Sequence, residues 1–231
     1  MSDKPVKPRS DTRSIDAFID QVRSLPVATD SQGRLIFALD ATASREATWD
    51  QASDLQSELF LAAQDLGGLS IQLCYYRGFR EFKSTRFVDQ PRQLLKLMNG
   101  VQCLGGITQI GRVLQHAVQE TRSRPVKAVV FIGDCCEESV DEICHAAGEL
   151  GMLRTPVFMF QEGGDPHTGA VFRQVSTLSG GAYAPFDRSS PQMLKELLGA
   201  VAVYASGGRR ALKDYTNRSS SEVKRLTSQI R

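Results

Sequence analysis

At 231 residues with 41% hydrophobic side chains, the chain suits one full α/β domain with short extensions and is too short for two. A net charge of +2 is too small to point to nucleic acid, and no nucleic-acid partner is expected. The charge is uneven: residues 209–231 carry seven Lys/Arg against two Asp/Glu, residues 1–13 carry four against two, and the body between is mildly acidic.

The first segment, MSDKPVKPRSD, is polar and without an apolar core, so it does not read as a secretory signal. Residues 1–12 are expected to be a disordered tail. Ile15, Phe18, Ile19 and Val22 fall at helical spacing before Pro26, which predicts an amphipathic helix over 13–27. Arg34 to Leu39 is an apolar run of strand length ending at Asp40. Trp49, Ala52, Leu55, Leu59, Ala63 and Leu66 trace one face of a long helix that Gly67-Gly68 stops. Leu69 to Tyr76 reads as the next strand, and Arg77-Gly78 turns it into an antiparallel partner, Phe79 to Thr85.

A short helix follows over Pro91 to Met98, and Gly105-Gly106 opens a loop before a helix expected from Thr108 to Glu120. Val126 to Ile132 is a nearly continuous β-branched run, the mark of a strand buried on both faces of a parallel sheet. Val140 to Met152 reads as helix, Pro156 to Phe160 as strand, and the loop Gln161 to Thr168 leads into a helix through Leu178. A last strand spans Ala182 to Phe186, and Met193 to Tyr204 is a helix that Gly207-Gly208 separates from a basic extension, 207–231, also expected to be helical. Strands alternating with helices predict a doubly wound α/β domain over 34–206, its mostly parallel sheet of about six strands carrying one antiparallel edge strand. The most apolar stretch, Leu197 to Ala205, is far shorter than the ~20 residues of a membrane span, so none is expected.

In such folds ligands gather outside the carboxyl ends of the strands, where the strand order reverses. Asp40, Thr42 and Ser44 leave the first strand at alternate positions, so that a tight loop can turn all three side chains toward one point. Thr108 follows the flexible Gly105-Gly106-Ile107, and Asp134 ends the strand Val129-Val130-Phe131-Ile132-Gly133. Two carboxylates and three hydroxyls, with no nitrogen or sulfur, suit a hard cation such as Mg²⁺, which takes about six oxygens. Taken alone, Asp40 and Ser44 also read as ordinary caps of the helix that follows.

These five residues resemble the metal-ion-dependent adhesion site of von Willebrand factor A (VWA) domains, built from Asp-x-Ser-x-Ser, a distant Thr and a distant Asp. Asp40, Thr42 and Ser44 fall on the first part, Thr108 on the second and Asp134 on the third. The resemblance runs from about Arg34 to Tyr204, and Phe172-Arg173-Gln174-Val175 with Gly180-Gly181-Ala182-Tyr183 is similar to the family's penultimate helix and last strand. It departs in two places: Thr42 stands where serine is commoner, and Ala43 where glycine is frequent. The resemblance implies Mg²⁺, or Mn²⁺ or Ca²⁺, bound directly by the hydroxyls and often through water by the aspartates. The ion then remains electrophilic, and an Asp or Glu of a protein partner completes its shell. It also implies a Rossmann-like interaction module and not an enzyme.

Around that site, Arg45 is a candidate rim residue that either orients an acidic ligand or faces water. Glu137 and Glu138 either reach the rim or serve as first-turn acids of the next helix, where the dipole favours them. His167, in the loop after the fifth strand, lies on the binding face. Cys135 is expected to be a small buried residue, and His116 and His145 are ordinary helix residues. The five cysteines show neither CxxC spacing nor an even count, which suggests reduced thiols in the cytoplasm. Two other readings stay open. A strand ending in Asp with a later Asp is similar to haloacid dehalogenase-like Mg²⁺ phosphatases, although those need an Asp where Thr42 stands. A scaffold with a vestigial metal site could instead bind partners through the basic 209–231 segment.

Overall fold

The computed structural model describes residues 33–63, 68–187 and 191–218. The tail expected over 1–12, the helix over 13–27 and the end of the basic extension, 219–231, lie outside the described residues. In chain order the elements are β1 (Gly33–Asp40), a 3₁₀ turn (Ala43–Arg45), α1 (Glu46–Ala63), β2 (Leu69–Arg77), β3 (Glu81–Val88), α2 (Pro91–Asn99) and α3 (Ile110–Ser123). Then come β4 (Ala128–Gly133), α4 (Val140–Met152), β5 (Val157–Glu162), α5 (Pro166–Ser179), β6 (Ala182–Phe186) and α6 (Pro191–Arg218).

The strands form one six-stranded sheet in the order β3-β2-β1-β4-β5-β6. All neighbours are parallel except β3, which pairs antiparallel with β2 at the edge. This is the doubly wound α/β architecture that the alternation of elements predicts. β1 is buried along its whole length, and its two-residue period feeds two cores. Leu35, Phe37 and Leu39 face the layer that holds Trp49, Leu94, Leu198 and Val201. Ile36 and Ala38 face the layer that holds Ile110, Leu114, Ile143 and Phe172. Each fully buried side chain of this size contributes ~1.5–3 kcal/mol, so the strand is the anchor of both layers.

Among the boundaries that differ from the sequence expectation, two bear on the strand-end cluster. β5 runs on through Gln161 and Glu162, both buried, because the polar ends of this strand find partners inside the protein. α3 begins at Ile110 rather than Thr108, which leaves Thr108 on the preceding loop. Gly207-Gly208 separates two helical segments, as the sequence suggests: Gly208, at φ 68° and ψ −164°, makes a non-helical kink, and a second helical segment follows it to Arg218. Beyond that kink Leu212 is buried in the first core, with Tyr215 packed against it. Among the described residues, no helix is long and apolar enough to cross a membrane.

The loop before α3 is pressed against the β2–β3 turn. Gly78 N–H donates to the Leu104 carbonyl at 3.3 Å, and Leu104 N–H donates to the Ala41 carbonyl at 3.0 Å. A Cβ on Gly106 would stand 2.0 Å from the Gly78 carbonyl oxygen, so only glycine permits this approach. Gly106→Ala is therefore expected to push the loop off the turn and cost about 1–3 kcal/mol, read as a lower urea midpoint at unchanged m-value.

Candidate metal centre

The sheet order reverses between β1 and β4, and both strands end at the same edge. Asp40 is the last residue of β1 and Asp134 follows the last residue of β4, so the topology places two carboxylates on either side of the switch point. Asp40 has the parity of Ile36 and Ala38 and sits opposite Tyr76 in the β1–β2 register. Asp40 is 3% exposed as a residue, and its carboxylate accepts the Thr42 N–H at 2.8 Å, which curls the chain at once into the 3₁₀ turn. The turn closes with Arg45 N–H donating to the Thr42 carbonyl at 2.9 Å.

From this loop a line of oxygens crosses to the end of β4. The Thr42 and Ser44 hydroxyls lie 3.4 Å apart, and Ser44 Oγ donates to Asp134 Oδ2 at 3.4 Å. Thr108 approaches from the loop before α3 and is buried. Its Oγ1 accepts the Glu137 N–H at 3.0 Å, while Glu137 Oε2 accepts the Thr108 N–H at 3.3 Å. Thr108 is thus tied to the loop that carries Asp134, and that loop is tied through Ser44 to the first one. One accepted hydrogen bond leaves the Thr108 hydroxyl a second lone pair.

Electrostatics beneath the cluster are costly in the absence of a cation. Burial raises the Asp40 pKa above the ordinary carboxylate value and the charge of Asp134 adds to this, opposed by the Thr42 hydrogen bonds and by Arg45. Tyr76 is fully buried beside Asp40, with no hydrogen bond of regular geometry to its hydroxyl. Burial, then the charges of Asp40, Glu138 and Asp134, push its pKa well above the usual range, so it stays a neutral phenol.

The surrounding residues differ from their sequence expectations in several ways. Arg45 is neither a rim contact nor a solvent-facing residue. It is 1% exposed, and its Nη1 lies 2.5 Å from Glu162 Oε2 and 3.6 Å from Asp134 Oδ2. The 3₁₀ turn directs it inward, where the buried end of β5 supplies a counter-charge. Glu138 does use helix-terminus electrostatics, but on a different helix: its carboxylate receives the N–H groups of Ile110 and Gly111 at the start of α3. The first-turn acids of α4 are Asp141 and Glu142. Glu137 is exposed at the rim. His167 is exposed too, though it lies in the first turn of α5 and not in a loop, because Asp165 caps that helix by accepting the Thr168 N–H at 2.7 Å. Cys135 is exposed while Cys136 is buried, and all five cysteines are unbridged.

Glu162 and Tyr76 did not emerge from the sequence as site residues. The signal for Glu162 was its place as an acid at the carboxyl end of a third parallel strand, hidden by ending β5 at Phe160. Exposed Phe79, Leu104 and Ile107 also stand on the turn and loop beside the cluster, Phe79 at 84% exposure. Among the described residues, no three His, Cys, Asp or Glu side chains gather to hold a metal by themselves. Any ion here would depend on the hydroxyls. The donor set of Asp40, Thr42, Ser44, Thr108 and Asp134 is all oxygen, which fits a hard divalent cation.

No family model matches the sequence, and no curated protein does. Solved structures do match. The chain is similar to a von Willebrand factor type A protein from Catenulispora acidiphila at 15% identity and a TM-score of 0.60, over 77% of this chain and 44% of that one. It is similar to the VWA domain of SpRpn10 at 12% identity and a TM-score of 0.55, over 73% and 94% of the two chains. A third match is proximal thread matrix protein 1 of the mussel byssus with a zinc-occupied MIDAS motif, at 12% identity and a TM-score of 0.59, covering 77% of this chain and 48% of that one. The chain has the von Willebrand factor A fold. It spans less than half of the Catenulispora and mussel chains.

The raised Asp40 pKa has a stability consequence. With its folded value above its unfolded one, Asp40 favours folding at low pH, and that contribution is lost as pH rises through the folded value. Asp40→Asn keeps an acceptor for the Thr42 N–H and removes the charge. In EDTA at pH 7 it is expected to melt above wild type, by roughly 2–4 °C per kcal/mol relieved, with the gap closing as pH is lowered. Calorimetric melts across pH check this; an Asp40→Asn variant that melts below wild type at neutral pH contradicts it.

Proposed function

We propose that this chain is a VWA-type binding module that holds a divalent cation at the β1/β4 switch point and uses it to engage a carboxylate on a protein partner. The observation that carries this reading is the hydrogen-bonded run Asp40–Thr42–Ser44–Asp134, which gathers two carboxylates and two hydroxyls at the ends of two adjacent parallel strands. Thr42, Ser44 and Thr108 would offer hydroxyl oxygens to the ion, with Asp40 and Asp134 balancing its charge. A bound ion supplies a Lewis-acidic position that a partner's Asp or Glu can fill. With two carboxylates cancelling two positive charges, such an anion meets no net repulsion.

Mg²⁺ is the ion we favour, with Mn²⁺ or Ca²⁺ as substitutes, and the zinc-occupied site of the mussel protein supports a divalent ion at this place in the fold. Exposed Glu137 and His167 would border the partner, and Phe79, Leu104 and Ile107 would add apolar contact. Thr42 occupies the position where the phosphatase reading needs an acid–base Asp, which favours a binding module over an enzyme. Five unbridged thiols favour a reducing compartment, in keeping with a cytoplasmic protein.

Isothermal titration with Mg²⁺ and Mn²⁺ is the direct test. A bound ion is expected to raise the melting temperature, with stabilisation of about 2.7 kcal/mol at one hundred times Kd, and EDTA to reverse it. Asp40→Ala and Asp134→Ala should each abolish the shift; ion affinity unchanged in both variants would overturn the assignment. Pull-down by the tagged chain, with Mg²⁺ or with EDTA, then tests whether partner capture requires the ion.

A further inference from the structure

Arg45 is the one side chain of the first loop whose placement the cluster of oxygens does not explain. A guanidinium at 1% exposure beside a cation site is electrostatically contrary. Its Nη1 lies 2.5 Å from Glu162 Oε2, yet neither Nη1 nor Nε is aligned for a hydrogen bond. The same Nη1 stands 3.6 Å from Asp134 Oδ2. That oxygen is also the acceptor of the Ser44 hydroxyl. A metal ion between Ser44 and Asp134 would therefore share its carboxylate oxygen with the guanidinium, and the two positive charges would oppose each other across that oxygen.

From this geometry we infer that Arg45 is a built-in competitor of the metal ion for Asp134, held back by Glu162, so that the Arg45–Glu162 pair sets how tightly the site takes a divalent cation. Without an ion, Arg45 satisfies part of the negative charge that the strand ends bring together. With an ion, Asp134 turns its charge to the metal, and Glu162, already the nearer partner, keeps the guanidinium neutralised. The pair also joins the first loop to the end of β5, so ion entry would be felt at the start of α5. The inference rests on the metal reading above and makes Arg45 and Glu162 positioning residues, not ligands.

The test is a titration of Mn²⁺ alone into wild type, Arg45→Met, Glu162→Gln and the double variant, with melts in EDTA to show that each is folded. Competition predicts that Arg45→Met binds Mn²⁺ roughly fivefold or more tighter than wild type, and Glu162→Gln weaker by a similar factor. Adding Arg45→Met to Glu162→Gln should recover the lost affinity, a sign that a merely structural salt bridge cannot give. If one single variant fails to fold because it leaves a buried charge alone, the remaining pair of proteins still decides, since the double variant removes both charges. No gain from Arg45→Met in either background overturns the competition. Binding by wild type that Asp40→Ala abolishes but Arg45→Met leaves unchanged defeats this inference alone; no Mn²⁺ binding by any variant defeats the metal reading as well.

Discussion

The parallel pairing of β1 with β4 is the constraint on which the rest of the molecule depends. Leu35 to Leu39 lie in register with Ala128 to Ile132, and every residue in both segments is buried. Because the winding reverses here, β2 and β3 extend to one side and β4, β5 and β6 to the other. Both strands point the same way, so the residues that follow them emerge together. Asp40 and Asp134 meet because two apolar strands pair, not because the carboxylates attract. The core supplies the free energy and the carboxylates repel.

That repulsion shapes everything around the strand ends. Asp40 is deeply buried and above its ordinary pKa, Tyr76 beneath it remains neutral, and Arg45 is drawn inward between Glu162 and Asp134. Glu138, which could have added a further charge to the cluster, is instead turned onto the N-terminus of α3. A folded protein keeps such an arrangement only when packing elsewhere outweighs it, and here two cores flank the central strand. The polar edge is therefore held in place by the packing of the strands beneath it.

The three loops that surround the cluster are bound to one another rather than loosely arrayed. The first loop contacts the second through Ala41 and Leu104, the second contacts the β2–β3 turn through Gly106 and Gly78, and the third returns to Thr108 through Glu137. This mutual bracing holds Phe79, Leu104 and Ile107 at the surface beside the polar cluster. One face of the molecule thus combines an oxygen-rich centre with an apolar flank.

Much of this was legible in the chain itself. The period-two and unbroken apolar runs identified the strands, the helical spacing identified the helices, and their alternation determined the doubly wound fold. The same pattern placed Asp40, Thr42 and Ser44 at the end of β1 and Asp134 at the end of β4, because strand ends follow from element order, whereas Thr108 comes from a loop between two helices. What the tertiary structure decided was the direction of individual side chains. Arg45 follows an exposed serine and reads as a rim or solvent-facing residue, yet it lies buried beside a glutamate more than a hundred residues away. Glu138 caps α3 instead of leading α4. Local sequence sets hydrophobic period and backbone preference, whereas burial of a charge depends on a partner that only the folded chain brings near.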